Sequence, residues 1–241
     1  MHLRRHGNLE RTIMATPIPA SSILDALPSE VSRGLFAQGR SVSLDAEQTL
    51  FLAGDKGDGC YRVEEGLLKA SVGAPNGSER ILGILGPGSV VGELSMIDGA
   101  PRSASVTALR DSKLYFVSQA DFDAIGKSNP EIYRDVMKML ARRLRDTNDA
   151  LAASSFLSVK GRVARALLSL AEAFGKDVGN GRILIRHKVN QTDLAAMAGI
   201  ARENVSRVLK DWTEHAMVSR LAGYYCLEKK DAIQSEAEPT A

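Results

Sequence analysis

The chain has few of the residues that build redox or metal centres. Only two cysteines occur among its 241 residues, Cys60 and Cys226, and they lie far apart in the sequence. A disulfide framework, a Cys-X-X-Cys redox pair, a cysteine-ligated cluster and a cysteine zinc site are therefore excluded. The four histidines are scattered and form no cluster with cysteines or carboxylates at ligand spacing: His2, His6, His187 and His215. We expect no protein-bound metal.

Long apolar runs are missing as well. No stretch approaches the roughly 18 apolar residues that suggest a membrane span. The basic N-terminal stretch also lacks the roughly 7–15-residue apolar core of a secretory signal. With 44% hydrophobic and 25% charged residues, the composition is typical of a soluble globular protein. We therefore expect a cytoplasmic protein without membrane contact and, at this length, two domains.

Charge is unevenly distributed, although the net charge is only +2. Residues 160–230 contain 13 Lys and Arg against 7 Asp and Glu, whereas the rest of the chain contains 18 against 22. A basic C-terminal third suggests contact with a polyanion such as DNA. An ordinary solvated surface would give the same balance, so charge alone leaves both interpretations open.

The pattern of apolar residues changes along the chain. From about 40 to 120, apolar runs separated by Gly-rich turns predict many short antiparallel strands in a sandwich or barrel. Residues 129–157 contain no Gly and have helical spacing, which predicts one long helix. Residues 158–230 combine short helices, a short strand and a terminal hairpin. Residues 1–20 are predicted to be a flexible N-terminal segment and residues 231–241 a loose acidic tail.

One side of the predicted long helix carries residues at coiled-coil spacing. This heptad stripe follows intervals of four and three and consists of Tyr133, Met137, Leu140, Leu144, Thr147 and Leu151. Such spacing is typical of a helix that pairs with a second helix. Thr147 is its polar member, and a polar residue there either fixes register or contacts a ligand lying against the helix pair. Alternatively, its hydroxyl bonds back to the preceding turn.

Residues 190–215 have the pattern of a helix-turn-helix. Asn190 is a predicted N-cap, and Gly199 ends the first short helix. The second helix has a predicted buried stripe of Val205, Val208, Leu209 and Trp212. Its opposite face presents side chains suited to base edges in the DNA major groove, namely Arg202, Glu203, Ser206 and Arg207. The alternative is an ordinary exposed helix in which Glu203 and Arg207 form an i,i+4 pair worth ~0.3–0.5 kcal/mol.

The segment GELSMIDGAPRSA, residues 92–104, places Glu93 and Arg102 in a turn-rich stretch between strand-like runs. A structural salt bridge between the two would explain the pattern. A binding site for an anionic ligand explains it equally, because Arg suits a bidentate phosphate contact and a carboxylate accepts from a sugar hydroxyl. Backbone amides of a turn add an anion-binding concavity.

On these residues the chain resembles the Crp/Fnr family of bacterial transcription regulators, over about residues 25–230. The resemblance implies an α+β fold whose first part, residues 21–128, is a jelly-roll-like antiparallel β-roll that binds a cyclic nucleotide. It further implies a dimerisation helix over residues 129–157 and a winged helix-turn-helix over residues 158–230, with the acidic tail 231–241 beyond. The hairpin MVSRLAGYYCLE would be the wing.

The segment 92–104 is similar to the phosphate-binding cassette of cyclic-nucleotide-binding domains. The residues in register with that cassette are Gly92, Glu93, Leu94, Pro101, Arg102, Ser103 and Ala104. The resemblance implies that Glu93 bonds the ribose 2′-hydroxyl, that Arg102 pairs with the cyclic phosphate and that Ser103 completes the anion cradle.

The same resemblance implies that Thr147 contacts the purine from its own subunit. Asn148 would approach the purine from the partner subunit. The family pattern leads us to expect serine, not asparagine, at this position. Cyclic AMP is the expected effector. Cyclic GMP is the alternative, because a hydroxyl at Ser103 can meet the guanine amino group.

For the output, the resemblance implies that Arg202, Glu203 and Arg207 read a half-site with a TGA-type core, with Ser206 beside them. The expected partners are palindromic double-stranded DNA, a second copy of the chain and RNA polymerase. One alternative is a nucleotide-independent regulator that keeps the cassette as scaffold. Another is an enzyme with a regulatory nucleotide domain, but no nucleophile–base or carboxylate pair stands out, so we expect no enzyme.

Overall fold

A computed structural model describes residues 29–238. The predicted flexible segment 1–20 lies outside the described residues, as do residues 21–28 and 239–241. The fold is α+β, as predicted, with an antiparallel β-roll, one long helix and a C-terminal helix-turn-helix unit.

The first part is built on a six-stranded antiparallel sheet. Its elements are α1 (Ser29–Phe36), β1 (Arg40–Leu44), β2 (Thr49–Phe51), β3 (Gly59–Gly73), β4 (Glu79–Leu85), β5 (Val90–Val91), α2 (Glu93–Asp98), β6 (Ser105–Ser118) and α3 (Gln119–Ser128). The strand order is β1-β6-β3-β4, with β2 paired to β6 and β5 paired to β3. The roll encloses an apolar core that includes Val63, Leu68, Leu85, Val106 and Leu114.

Two strands of this sheet are longer than predicted from the Gly-rich turns in the sequence. β3 has 15 residues and β6 has 14, and they pair from Gly59 opposite Ser118 to Ser71 opposite Ser105. The register shifts around Gly66, so a β-bulge absorbs this glycine without ending the strand. The prediction of short strands is wrong here because a glycine bends a paired strand as readily as it terminates one.

The long helix forms as predicted and has two apolar faces. α4 spans Glu131–Phe156, 26 residues, directly after Pro130. One face is buried against the β-roll by Ile132, Val136 and Met139. The heptad stripe lies on another face, and four of its large apolar side chains are exposed: Tyr133 39%, Met137 61%, Leu144 63% and Leu151 66%. Leu140, the fifth, is partly buried against the β-roll core.

The second part follows directly after α4. Its elements are α5 (Val159–Phe174), β7 (Gly175–Asp177), β8 (Ile183–Ile185), α6 (Gln191–Ala198), α7 (Arg202–Glu214), β9 (Val218–Leu221), β10 (Tyr224–Leu227) and α8 (Lys230–Glu236). The four strands pair in the order β7-β8-β10-β9. The predicted cap is present, because the Asn190 side chain accepts from the Asp193 N–H at 2.8 Å. The predicted stripe of α7 is buried in the core of this part, around the fully buried Trp212.

The prediction of a loose tail after residue 230 is wrong for the residues that the structure describes. Lys230–Glu236 form α8, and Ile233 is fully buried. This helix packs on α5, where the Glu236 carbonyl lies close to Gly161. A single apolar residue among polar ones is a weak periodic signal, so the sequence did not reveal the docking of this segment.

The two parts share an apolar contact. β4 and α6 pack together, and the shared cluster contains Leu67, Ile81, Ile84 and Ala196, with Leu109, Phe174 and Met197 against it. Within residues 29–238, no group of three His, Cys, Asp or Glu side chains is placed to hold a metal ion. Among the described helices, none combines the length and apolarity needed to cross a bilayer.

Candidate functional site

A cavity of about 350 Å³ lies between the β-roll, α4, α5 and α6. Six of the seven residues predicted for nucleotide binding line it: Gly92, Glu93, Leu94, Arg102, Ser103 and Thr147. Asn148 is exposed and is not part of this wall, which is formed by one chain. The fold therefore brings residues 92–104 and α4 to the same space, although about 40 residues separate them in the sequence.

Arg102 is held rigidly at the β-roll wall of the cavity. Its Nη1 donates to the carbonyl oxygens of Gly59 at 2.9 Å and Gly92 at 2.7 Å. The guanidinium lies over the Phe51 ring at 4.4 Å, and its Nη2 is 3.5 Å from an Asp58 carboxylate oxygen. Only 4% of the residue is exposed, and its Nε has no partner among the described residues. A buried guanidinium with an unused N–H suits an anionic ligand.

Gly92 permits this position of Arg102. Its φ is +85°, in the left-handed region that favours glycine. A Cβ added at Gly92 would lie 2.4 Å from Arg102 Nη1, so a side chain would collide with the guanidinium. The glycine at the start of the segment is therefore required both by the backbone conformation and by the approach of Arg102.

Glu93 has a partner that the sequence analysis missed. It is 3% exposed and forms an ion pair with Arg143, which also donates to the Val90 carbonyl. Arg143 lies four residues before Thr147, one helical turn away, and this spacing was the available signal. A direct salt bridge between Glu93 and Arg102 is therefore not the explanation of the two charges, because each has a different partner.

Cys60 is buried close to Glu93. Burial, followed by the negative charge of Glu93, raises the pKa of Cys60 to about 12. The thiol therefore stays protonated at physiological pH and packs as a small apolar side chain in the core that joins the sheet to α4.

Two hydroxyl groups stand at the exposed side of the cavity. Ser103 is exposed next to Arg102, and Thr147 is exposed on α4. The Thr147 hydroxyl donates to the Arg143 carbonyl at 2.8 Å, which is the back-bonded alternative considered for this residue. Thr147 lines the cavity, and a hydroxyl that donates one hydrogen bond still has acceptor capacity.

The predicted DNA-reading face is present on α7. Arg202, Glu203, Ser206 and Arg207 are all exposed. Arg207 contacts the Asn204 side chain, one turn back, rather than making the Glu203 pair considered above. α6 ends at Gly199, whose φ of +63° is left-handed, and α7 begins three residues later at Arg202. This geometry is that of a helix-turn-helix.

The hairpin of β9 and β10 stands beside this face and carries cations. The Arg220 guanidinium lies 5.2 Å from the Tyr225 ring centre, and the Lys188 ammonium lies 5.3 Å from that of Tyr224. Aromatic rings under cations hold those charges at the surface without neutralising them. Such charges suit the phosphates that flank a major groove.

Comparisons with known proteins agree with these two parts. A family model described as a cyclic nucleotide-binding domain matches residues 41–129, and one described as a Crp-like helix-turn-helix domain matches residues 161–235. The chain is 34% identical over 214 residues to a CRP-like cAMP-activated global transcriptional regulator of Mycobacterium tuberculosis, covering 89% of this chain and 92% of that protein. It is 36% identical over 196 residues to the cyclic AMP receptor protein of Thermus thermophilus, covering 81% and 83%.

Solved structures share the fold. FixK2 from Bradyrhizobium japonicum aligns with a TM-score of 0.74 at 18% identity, over 84% of this chain and 99% of that one. A CRP/FNR-family transcriptional regulator from Thermus thermophilus aligns with a TM-score of 0.71 at 24% identity, over 84% and 100%. Proteins of this family are transcription regulators and not enzymes. The chain, which joins a cyclic nucleotide-binding domain to a DNA-binding helix-turn-helix, belongs to the Crp/Fnr family of transcription regulators.

Proposed function

We propose that the protein is a homodimeric transcription regulator whose DNA binding is controlled by a cyclic nucleotide, with cyclic AMP as the effector. The observation that carries the proposal is the buried Arg102, which lines a cavity that α4 also lines and whose Nε has no partner among the described residues. A phosphate ligand there would be in reach of groups from both the β-roll and the long helix. The names of the Mycobacterium and Thermus relatives, both of which mention cyclic AMP, support this choice of effector.

Each residue of the segment has a role in this proposal. Arg102 pairs with the cyclic phosphate, and Ser103 together with backbone N–H groups completes the anion cradle. Glu93 accepts from the ribose 2′-hydroxyl, and its ion pair with Arg143 orients the carboxylate. Leu94 and Gly92 shape the wall around the sugar.

Base recognition is assigned to α4. Thr147 contacts the purine within its own subunit, and Asn148, which is exposed and does not line this cavity, contacts the nucleotide of the partner subunit. Cyclic GMP is the alternative effector, because the exposed Ser103 hydroxyl can meet the guanine amino group.

DNA recognition is assigned to α7 and depends on the dimer. The exposed heptad stripe pairs two copies through α4, and the two recognition helices then fit a palindrome with half-sites about one DNA turn apart. Arg202, Glu203 and Arg207, with Ser206 beside them, read a TGA-type core. RNA polymerase is the further partner and the cytoplasm the site of action.

Control requires that the nucleotide binds one arrangement of the dimer better than the other. Arg143 and Thr147 lie on α4, and α5 starts three residues after α4 ends, so contacts at the nucleotide act on the helix that leads into the DNA-binding part. Shifting the ratio of the two arrangements from 1:99 to 99:1 needs a difference of ~5.5 kcal/mol between the nucleotide's binding free energies for them.

The test compares Arg102→Gln with Arg40→Gln. Arg40 is an exposed β-roll arginine that also lies over an aromatic ring, so it is a matched control. We expect Arg102→Gln to lose the response of palindromic-DNA affinity to cyclic AMP and Arg40→Gln to keep it, measured by fluorescence anisotropy. Circular dichroism checks that both variants fold. Equal DNA affinity with and without cyclic AMP in the unmodified protein would instead favour a nucleotide-independent regulator.

A further inference from the structure

The side chain of Arg207, on the DNA-reading face of α7, is hydrogen-bonded to a neutral group. Its Nη2 donates to the side-chain oxygen of Asn204, which lies three residues earlier on the same helix. A guanidinium can only donate, so the amide must turn its Oδ1 and not its NH2 group toward Arg207. An amide oxygen orients the guanidinium without neutralising its charge, as a carboxylate would.

Asn204 and Glu203 lie on opposite sides of Arg207 around α7. On an α-helix, Glu203 is rotated from Arg207 by about 40° in one direction and Asn204 by about 60° in the other. Asn204 is half-buried in the first turn of the helix, where its backbone N–H donates to the Ala201 carbonyl at 3.0 Å. Glu203 and Arg207 are exposed. The shorter, half-buried side chain therefore holds the longer, exposed one in place.

Charged side chains in the C-terminal half of α7 have partners of opposite charge. Lys210 Nζ lies 4.0 Å from a carboxylate oxygen of Glu214. Lys160 of α5 reaches Asp211 with 2.6 Å between Nζ and Oδ2. Arg207, in the half that carries the reading face, is bonded to an amide instead. Its charge and its orientation are thus both preserved for a ligand.

We propose that Asn204 is a positioning residue for base reading by Arg207. The inference rests on the proposed reading of DNA bases by α7. Asn204 uses one N–H of Nη2 and leaves the other N–H groups of the guanidinium available. Guanine presents O6 and N7 side by side in the major groove, and a correctly oriented Arg donates to both. An arginine that is fixed in advance loses less rotamer freedom on binding, so discrimination at that guanine depends on Asn204.

A direct contact between Asn204 and a DNA phosphate is the competing role, because the amide nitrogen can donate to a phosphate oxygen. Loss of one phosphate contact weakens binding to all sequences alike and lowers the slope of log affinity against log salt by about 1. Loss of a positioning residue changes the affinity ratio between sequences at constant slope. The hydrogen bond to Arg207 favours positioning, and measuring both quantities separates the two roles.

The test is fluorescence anisotropy of the full chain with a palindromic duplex that carries two TGA half-sites. Further duplexes replace each base pair of the core in turn. All titrations contain the same concentration of cyclic AMP, so every ratio compares the same state of the protein. Arg207→Ala identifies the base pair that Arg207 reads, because its replacement no longer lowers affinity. We expect Asn204→Ala to lower discrimination at this base pair at least ~3-fold and to keep it at the other two.

A double variant supplies a readout that a merely structural role would not move. In the Arg207→Ala background, Asn204→Ala should not change discrimination further, because the group that it positions is gone. Asn204→Asp keeps the acceptor and the shape, so discrimination should be retained while affinity for every duplex falls through repulsion of the phosphates. Thr213→Ala, at the exposed far end of α7, is the matched control and should change neither quantity.

Fraying of α7 would not explain a loss in Asn204→Ala, because Ala has the higher helix propensity. Circular dichroism checks that each variant folds. Unchanged discrimination in Asn204→Ala, or an equal effect with and without Arg207, would overturn the proposal. A salt slope lower by about 1 at unchanged discrimination would assign Asn204 to a phosphate instead. If Arg207→Ala itself leaves all discrimination unchanged, the proposed base reading is wrong and the inference is wrong with it.

Discussion

At the residue scale, the two opposite charges of residues 92–104 serve separate purposes. Glu93 pairs with Arg143 of α4, whereas Arg102 is fixed by two backbone carbonyls and an aromatic ring. The cavity therefore receives a carboxylate and a guanidinium that are oriented independently. Such independence suits contacts to two different groups of one ligand, because neither side chain neutralises the other.

The ion pair between Glu93 and Arg143 makes a stability prediction. Both side chains are largely buried, 5% and 13% exposed, so removing the cation leaves an unpaired buried carboxylate. We expect Arg143→Gln to lower the free energy of unfolding by about 3 kcal/mol. Arg145→Gln, on an exposed face of the same helix, should change it by less than ~0.5 kcal/mol.

Urea denaturation followed by circular dichroism measures both variants. If the urea midpoints of Arg143→Gln and Arg145→Gln coincide, the ion pair between Glu93 and Arg143 does not contribute to stability. The same pair of variants tests the site, since Arg143→Gln should also weaken cyclic AMP binding by calorimetry while Arg145→Gln should not.

At the element scale, α4 carries two apolar faces with different partners. Ile132, Val136 and Met139 pack on the β-roll, and most of the heptad stripe stays exposed in a single chain. A run of large apolar side chains at 39–66% exposure is unusual on a monomer and typical of an interface. The spacing of the stripe favours a second copy of the same helix as the partner.

This arrangement predicts that one charge in the heptad stripe separates the dimer. Leu144→Glu places a carboxylate at an apolar pairing position, and we expect a monomer with nearly unchanged circular dichroism. Arg134→Glu, on the exposed surface of the same helix, should remain dimeric. Sedimentation velocity at micromolar concentration measures both, and a dimeric Leu144→Glu would contradict pairing through this stripe.

At the scale of the whole molecule, the contact between the β-roll and the helix-turn-helix contains a titratable group. The His187 ring contacts the Phe174 ring at a tilt of 49°, with ring centres 5.4 Å apart, and Phe174 packs against the shared apolar cluster. Burial, and then the positive charge of Arg110 on β6, lower the pKa of His187 below its ordinary value of 6.5. The histidine is therefore neutral in the folded protein under conditions in which the unfolded chain is already binding a proton.

The lowered pKa of His187 sets the direction in which the free energy of unfolding changes with pH. Between the lowered pKa of the folded state and 6.5, the unfolded chain binds more protons, so the free energy of unfolding falls as the pH falls through this window. The slope contributed by one group is at most ~1.4 kcal/mol per pH unit. We expect the free energy of unfolding of His187→Gln to depend less steeply on pH below pH 7 than that of the unmodified protein. His215→Gln, a change at an exposed histidine, is the control.

Guanidinium denaturation across that pH range is the measurement. An unchanged slope in His187→Gln, or an equal change in His215→Gln, would show that the domain contact is not the source of the pH dependence.

Much of the fold and part of the site were readable from local pattern. The caps, the left-handed Gly199, the buried stripe of α7 and the single long helix depend on neighbours within a turn or two, and each was predicted correctly. The segment 92–104 was predicted to be rich in turns, but only its glycines at 92 and 99 have turn conformations, and Glu93–Asp98 between them form the short helix α2. The errors arose where local signals compete with distant ones, as in the long bulged strands and in α8, whose single buried Ile233 needs α5 to hold it.

The sequence by itself determined the order of parts, the elements and the chemical types of the site residues, because helical periods, caps and turn residues act over short distances. Only the tertiary structure decided which charges meet. Arg143 reaches Glu93 across 50 positions, and Arg80 reaches the end of α6 from another part of the chain. Ion pairs and cavity walls depend on how sheet and helices pack, and no local period encodes that packing. Of the two explanations that the sequence left open for Glu93 and Arg102, the structure excludes a direct salt bridge between them, because each pairs with a different side chain.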